Sequence, residues 1–402
     1  MTSKRSWTLA WVAMVFLLTT AHAEHLPQPV LQRVADASIR VLDESPGSDR
    51  LKLNVQIPTG DVLEVSLEPQ TRLLRSATGR LAAVRNGATQ VYAGTLVGRE
   101  AGWARMTRVG DAWVGAIFDG AQIWFLDPAR YHRDLAARAG VAVDGTVLYS
   151  TSDIEGDADL AGDIAGAVLV PGKGLPTRSQ ENGWALEYEL AVTLVLDTEY
   201  QDAYGDDSVS IAVATLNIVD GFYAAQVDTR VMLHHIEVLE DNGNLDTTNY
   251  VELLNRFQAF SQDKGLPFRG VSHLLSGKDF DGGTIGYAFL SSACDPTKGY
   301  GVDQITVGAA YHATLLAHEI GHNYGAQHDG VVSLVNGITS AMAQQCLDAG
   351  GIMAPNMSST NPATEFTDCS MIWFEQFLAT ARGCLIPTMP TFADGFEVPL
   401  PE

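Results

Sequence analysis

One run of residues limits what this chain can fold into more than any other: His318-Glu319-Ile320-Gly321-His322-Asn323-Tyr324-Gly325-Ala326-Gln327-His328-Asp329. It follows residues 313–317, Ala-Thr-Leu-Leu-Ala, a strong helix-forming stretch. On a helix, positions 318 and 322 stand about 40° apart and one turn above each other, so both imidazoles reach one point. Gly325 can take the left-handed conformation that ends a helix, letting the chain reverse and return His328 to the same point. The fold must therefore hold a helix that stops near Gly325 with a chain reversal behind it. Three neutral imidazoles at ~2.0–2.1 Å suit zinc and leave its fourth position to water, as in catalytic rather than structural sites. Bound zinc lowers the pKa of that water toward ~7. Glu319, one step round the helix, is placed to take the water's proton and pass it to a leaving amine.

The surrounding sequence alternates strands and helices. Residues 188–196 and 231–239 read as apolar strands, 208–227 as a helix with Ile211, Thr215, Ile218, Val219 and Phe222 in register, 250–260 as an amphipathic helix and 286–290 as a short strand. The expectation is an α/β (α+β) domain spanning 179–388. His234, His235 and His312 are read as ordinary packed or surface residues.

The first half differs. Residues 51–57 alternate with period two, and 113–118 and 122–126 flank Asp119-Gly120 as a hairpin, so this half reads as β-rich. Residues 1–178 carry 19 acidic and 18 basic side chains, whereas 179–402 carry 29 and 7, which leaves net charges of −1 and −22. So acidic a half excludes nucleic acid and anionic lipid surfaces as partners. All four cysteines (Cys294, Cys346, Cys369, Cys384) lie in it, with no CxxC spacing, which favours disulfides over a metal cluster. Lys4 and Arg5, an apolar stretch too short to span a membrane, and Ala21-His22-Ala23 read as a signal peptide cut near Ala23, hence a secreted product without a membrane anchor. An acidic, Gly-rich segment from Asp153 and the breakers of 171–178 mark an exposed linker.

With Met353 in Gly351-Ile352-Met353-Ala354-Pro355, the motif resembles the metzincin zinc endopeptidases, whose Met-turn lies beneath the metal. Asp329 directly after the third His resembles the adamalysin (reprolysin, ADAM-type) branch, and Pro355 stands where the astacin and serralysin branches carry a Tyr ligand. The resemblance covers about 200 residues, roughly 186–387, and includes the segment around Cys294 and the final helix with Cys384. It implies a zincin fold with a twisted mixed sheet and an active-site helix. It also implies zinc held by His318, His322 and His328, Glu319 as general base, and disulfides Cys294–Cys384 and Cys346–Cys369. Residues 283–288 would form an edge strand that pairs with an extended peptide, and 356–365 would line the pocket beyond the scissile bond.

Of the family's calcium ligands only Glu189 is retained, opposite Gly270 and Pro387, which puts that site in doubt. Residues 24–178 are similar to reprolysin propeptides but contain no cysteine to hold the zinc, so latency would need a steric block or another ligand. The expected organisation is a signal peptide (1–23), a β-rich removable pro-domain and linker (24–178), the catalytic domain (179–388) and a tail (389–402). The expected activity is hydrolysis of protein or peptide substrates by a secreted zymogen. Two alternatives stand beside it: a silent metzincin-scaffold binding protein or toxin, and a peptidyl-Asp-type bacterial metalloendopeptidase. Oligomeric state, substrate and mature N-terminus are not legible.

Overall fold

The computed structural model describes residues 29–44, 50–155, 157–159, 187–329, 350–358, 365–380 and 383–388. The expected signal peptide, residues 160–178 of the linker, Cys346, residues 359–364 of the pocket loop and the tail lie outside the described residues.

The alternating first half forms an antiparallel sheet. Its strands are β1 (Ala35–Asp36), β2 (Ile39–Glu44), β3 (Leu51–Gln56), β4 (Val62–Pro69), β5 (Thr89–Leu96), β6 (Arg99–Val109), β7 (Ala112–Phe118), β8 (Ile123–Pro128) and β9 (Thr146–Ser150). They lie in the order β1-β9-β8-β7-β6-β5-β4-β3-β2. In β3, Leu53 and Val55 are fully buried while their neighbours are not, as period two requires. The hairpin between β7 and β8 closes at Asp119-Gly120, where the Asp119 carboxylate accepts the N–H groups of Ala121 and Gln122 and the Trp124 indole N–H.

The second half is built on a mixed sheet of β10 (Glu187–Leu196), β11 (Thr229–Val238), β12 (Val271–Ser276), β13 (Gly286–Ala288) and β14 (Tyr300–Gln304), in the order β13-β14-β12-β10-β11. Neighbours are parallel except β13, which runs antiparallel to β14 at the edge. The helices are α1 (Thr198–Tyr204), α2 (Ser208–Gln226), α3 (Tyr250–Lys264), α4 (Ala309–Asn323) and α5 (Asp368–Thr380). Helix α3 outlasts its apolar pattern and ends only at Gly265, which takes the left-handed conformation at φ 64°.

Helix α2 departs from its simple reading. Its spacing suggests one buried face, yet every residue from 210 to 223 is buried. It packs on β11 and α4 on one side and on β6 and β7 of the first half on the other. A helix apolar all round has to be enclosed, and the N-terminal sheet encloses it. The stretch Thr198–Gln226 is long and apolar enough to cross a membrane by composition, but 83% of its apolar window is buried inside the protein.

The charge asymmetry is answered at the same junction. Arg105 pairs with Asp220 at 2.9 Å, Arg72 with Glu189 at 2.7 Å and Arg130 with Asp207 at 2.8 Å. Glu189, the one carboxylate expected to match the family's calcium ligands, is thus paired with Arg72 and also with Arg75 at 3.1 Å.

His312, on α4, is fully buried, and neither ring nitrogen has a hydrogen-bond partner among the described residues. Burial lowers its pKa from 6.5 to about 4, with the Asp303 charge pulling the other way. Between those values the unfolded chain binds a proton that the folded chain refuses. The His312 contribution to stability is therefore complete above pH 6.5 and lost as the pH falls to about 4, by roughly 3 kcal/mol at ~1.4 kcal/mol per unit. His312→Leu is expected to make urea-melt stability less dependent on pH across this window, and an unchanged pH slope would contradict that assignment.

Candidate active site

Helix α4 carries the motif. It starts after Gly308 and closes with a Schellman turn: Gly325 N–H donates to His322 O at 2.9 Å and Ala326 N–H to Gly321 O at 3.0 Å, with Gly325 at φ +93°. The reversal expected at Gly325 is present, and it returns His328 to the helix. The ligand atoms of His318, His322 and His328 all lie within 4.8 Å of one another. The Nε2 atom of His328 is 3.2 Å from Nε2 of both other histidines.

The second ring nitrogens are fixed by carbonyls. His318 Nδ1 donates to Ile352 O at 2.6 Å and His322 Nδ1 to Ala326 O at 2.8 Å. A carbonyl only accepts, so both rings carry their proton on Nδ1 and turn an Nε2 lone pair to the common centre. Burial lowers the pKa of both rings, to about 4 for His322; for His318 the neighbouring His322 and His328 lower it further. Neutral, preoriented imidazoles are the donor set that zinc takes, so the residues present fit the metal.

Glu319 is fully buried between α4 and the rim strand β13. A Cβ on Gly286 would overlap its carboxylate. Gly286, in the strand expected to pair with a peptide, thus makes room for Glu319. Met353 is also fully buried and lies against Gly321, where a Cβ would meet its sulfur. The Met-turn thus packs beneath the two helical ligands.

Asp329 ties the turn in place. Its N–H donates to Met353 O at 2.7 Å, and its carboxylate accepts Gly351 N–H at 3.1 Å and the hydroxyls of Thr367 at 2.6 Å and Ser370 at 3.2 Å. Burial raises its pKa, and the hydrogen bonds from Thr367, Gly351 and Ser370 oppose the rise. The Cys294–Cys384 disulfide is formed. Cys369 is also disulfide-bonded, while its expected partner Cys346 lies outside the described residues.

Sequence reasoning missed the network behind the helix end. Buried His273 faces Asp303 Oδ2 at 2.8 Å and Asn323 Oδ1 at 2.9 Å, and the Asn323 amide donates to Phe289 O at 2.8 Å and Ser292 Oγ at 3.0 Å. It also missed Asp127, whose Oδ1 accepts the Ala310 N–H at the start of α4, at 2.9 Å. Neither has a local signal, because the partners are 30 to 183 positions apart. The family model for reprolysin (M12B) family zinc metalloproteases matches residues 189–389, the span that contains the three histidines, Glu319 and the Met-turn.

Proposed function

Because the chain belongs to the reprolysin (M12B) family of zinc metalloproteases, we propose that it is a secreted endopeptidase that is held latent by its own linker. The convergence of three Nε2 atoms at the helix that carries Glu319, two of them with their lone pairs turned inward, carries this reading. Zinc, when bound, supplies Lewis acidity and lowers the pKa of water at the site. His318, His322 and His328 hold it. Glu319, adjacent to the triad and inside the rim, takes the proton of the attacking water on its carboxylate and delivers it to the departing amine. Strand β13 offers its edge to an extended peptide. Signal-peptide features at Lys4, Arg5 and Ala21-His22-Ala23 support export.

Latency is supported by the end of the N-terminal half. Residues Asp157–Asp159 run antiparallel to Asn356–Ser358, pairing Asp157 with Ser358, Ala158 with Met357 and Asp159 with Asn356. Asn356–Ser358 directly follows the Met-turn and begins the expected pocket wall. This strap occupies an edge beside the pocket that substrate needs, and a cut in the linker releases one end of it. Casein digestion by intact chain and by chain cut after Arg178 tests the proposal. Chelator-sensitive cleavage by the cut chain alone is expected. Equal rates before and after cutting would remove the latency, and no chelator-sensitive cleavage by either would favour a silent binding scaffold.

A further inference from the structure

We infer that the N-terminal module is a lasting part of the peptidase: a linker cut frees the strap, while the module stays docked and its Asp127 caps the active-site helix. The inference rests on the reading above, in which linker cleavage switches the protein on.

The helix start is shaped to the other module. Helix α4 begins after Gly308, which has no side chain to cap it. Asp127, from β8, is fully buried and accepts the Ala310 N–H; its second oxygen accepts the Tyr149 hydroxyl at 2.7 Å and faces His132 at 3.2 Å. A Cβ on Gly308 would overlap both the Asp127 carboxylate and the Tyr149 hydroxyl. A carboxylate there also suits the positive end of the helix dipole. Ala310 precedes His318 by eight residues, about 12 Å along the axis, so Asp127 positions the helix and takes no part in the chemistry.

The shared helix argues the same way. Trp103 lies edge-on to Phe222 with ring centroids 5.6 Å apart, in the space that Gly221 leaves open. Inside the junction, Asn217 donates to Tyr92 O at 3.0 Å and the hydroxyls of Thr89 and Ser210 lie 2.6 Å apart. Departure of the module would strip these buried groups of partners and bare an apolar helix face. It would also remove the parallel addition of Thr78–Gly79 to β11. The module's main contacts lie on α2 and on α4, whose start Asp127 caps.

The full chain cut after Arg178, run on size exclusion with light scattering, is expected to elute as one species that contains both fragments and has the mass of the uncut chain. A catalytic fragment eluting alone would overturn the inference. Co-elution without chelator-sensitive hydrolysis would sink the peptidase reading and leave the retained module standing. Within the cut complex, Asp127→Ala is expected to lower kcat about five-fold with KM unchanged, and Asp127→Asn, which keeps an acceptor for Ala310 N–H, to restore most of it. Wild-type kcat in Asp127→Ala would overturn the capping role.

Discussion

Replacing Glu319 by Gln is expected to lower kcat by about 10²–10⁴, the usual contribution of a general base, while zinc content stays at the wild-type level. Gln matches Glu in shape, so it can occupy the same fully buried space beside Gly286 without disturbing β13. It cannot accept and carry a proton at neutral pH. Two of the three histidines are anchored by other groups, through Nδ1–carbonyl bonds to Ile352 and Ala326. Metal analysis alongside kinetics separates the two effects. A variant that keeps its zinc and near-wild-type activity would remove Glu319 from the chemistry, and loss of zinc would make it a structural residue.

The second large effect is on folding. Asp220→Ala leaves the Arg105 guanidinium buried without its partner, since both side chains are at most 7% exposed. Asp220 also accepts from Gln70 at 3.1 Å and from Val231 N–H at 3.0 Å, so three donors lose an acceptor together. Breaking a buried pair from one side costs about 3–5 kcal/mol, a large share of the ~5–15 kcal/mol that holds a typical domain. Leucine at both 105 and 220 is expected to recover much of the loss, because it removes the stranded charge as well. Urea melts of the single and double variants measure this. A single-variant loss below about 1 kcal/mol would mean that the pair does not lock the two halves together.

What was legible in the sequence was local. The 318–328 spacing predicts a helix, a stop and a return, because each step depends on neighbours within a turn or two, and the structure has all three. Strand β3 and the hairpin at Asp119-Gly120 follow from period two and turn chemistry in the same way. The resemblance implied Cys294–Cys384, which no spacing rule could assign. The rest was hidden because it depends on distant chain. Helix α2 reads as one-sided until β6 and β7 cover its other face. Nothing in the local sequence shows what Gly286 and Gly308 make room for until Glu319 and Asp127 are seen against them. The arginines of the near-neutral half gain meaning only opposite Asp220, Glu189 and Asp207.

Titrating zinc into chelator-stripped, linker-cut protein while following peptide hydrolysis tests the central claim most directly. The rate is expected to rise in proportion to added metal and to level off at one equivalent per chain, as a single His318-His322-His328 centre requires. Hydrolysis that persists in the stripped protein, or one bound zinc without hydrolysis, would contradict the assignment of this chain as a zinc endopeptidase.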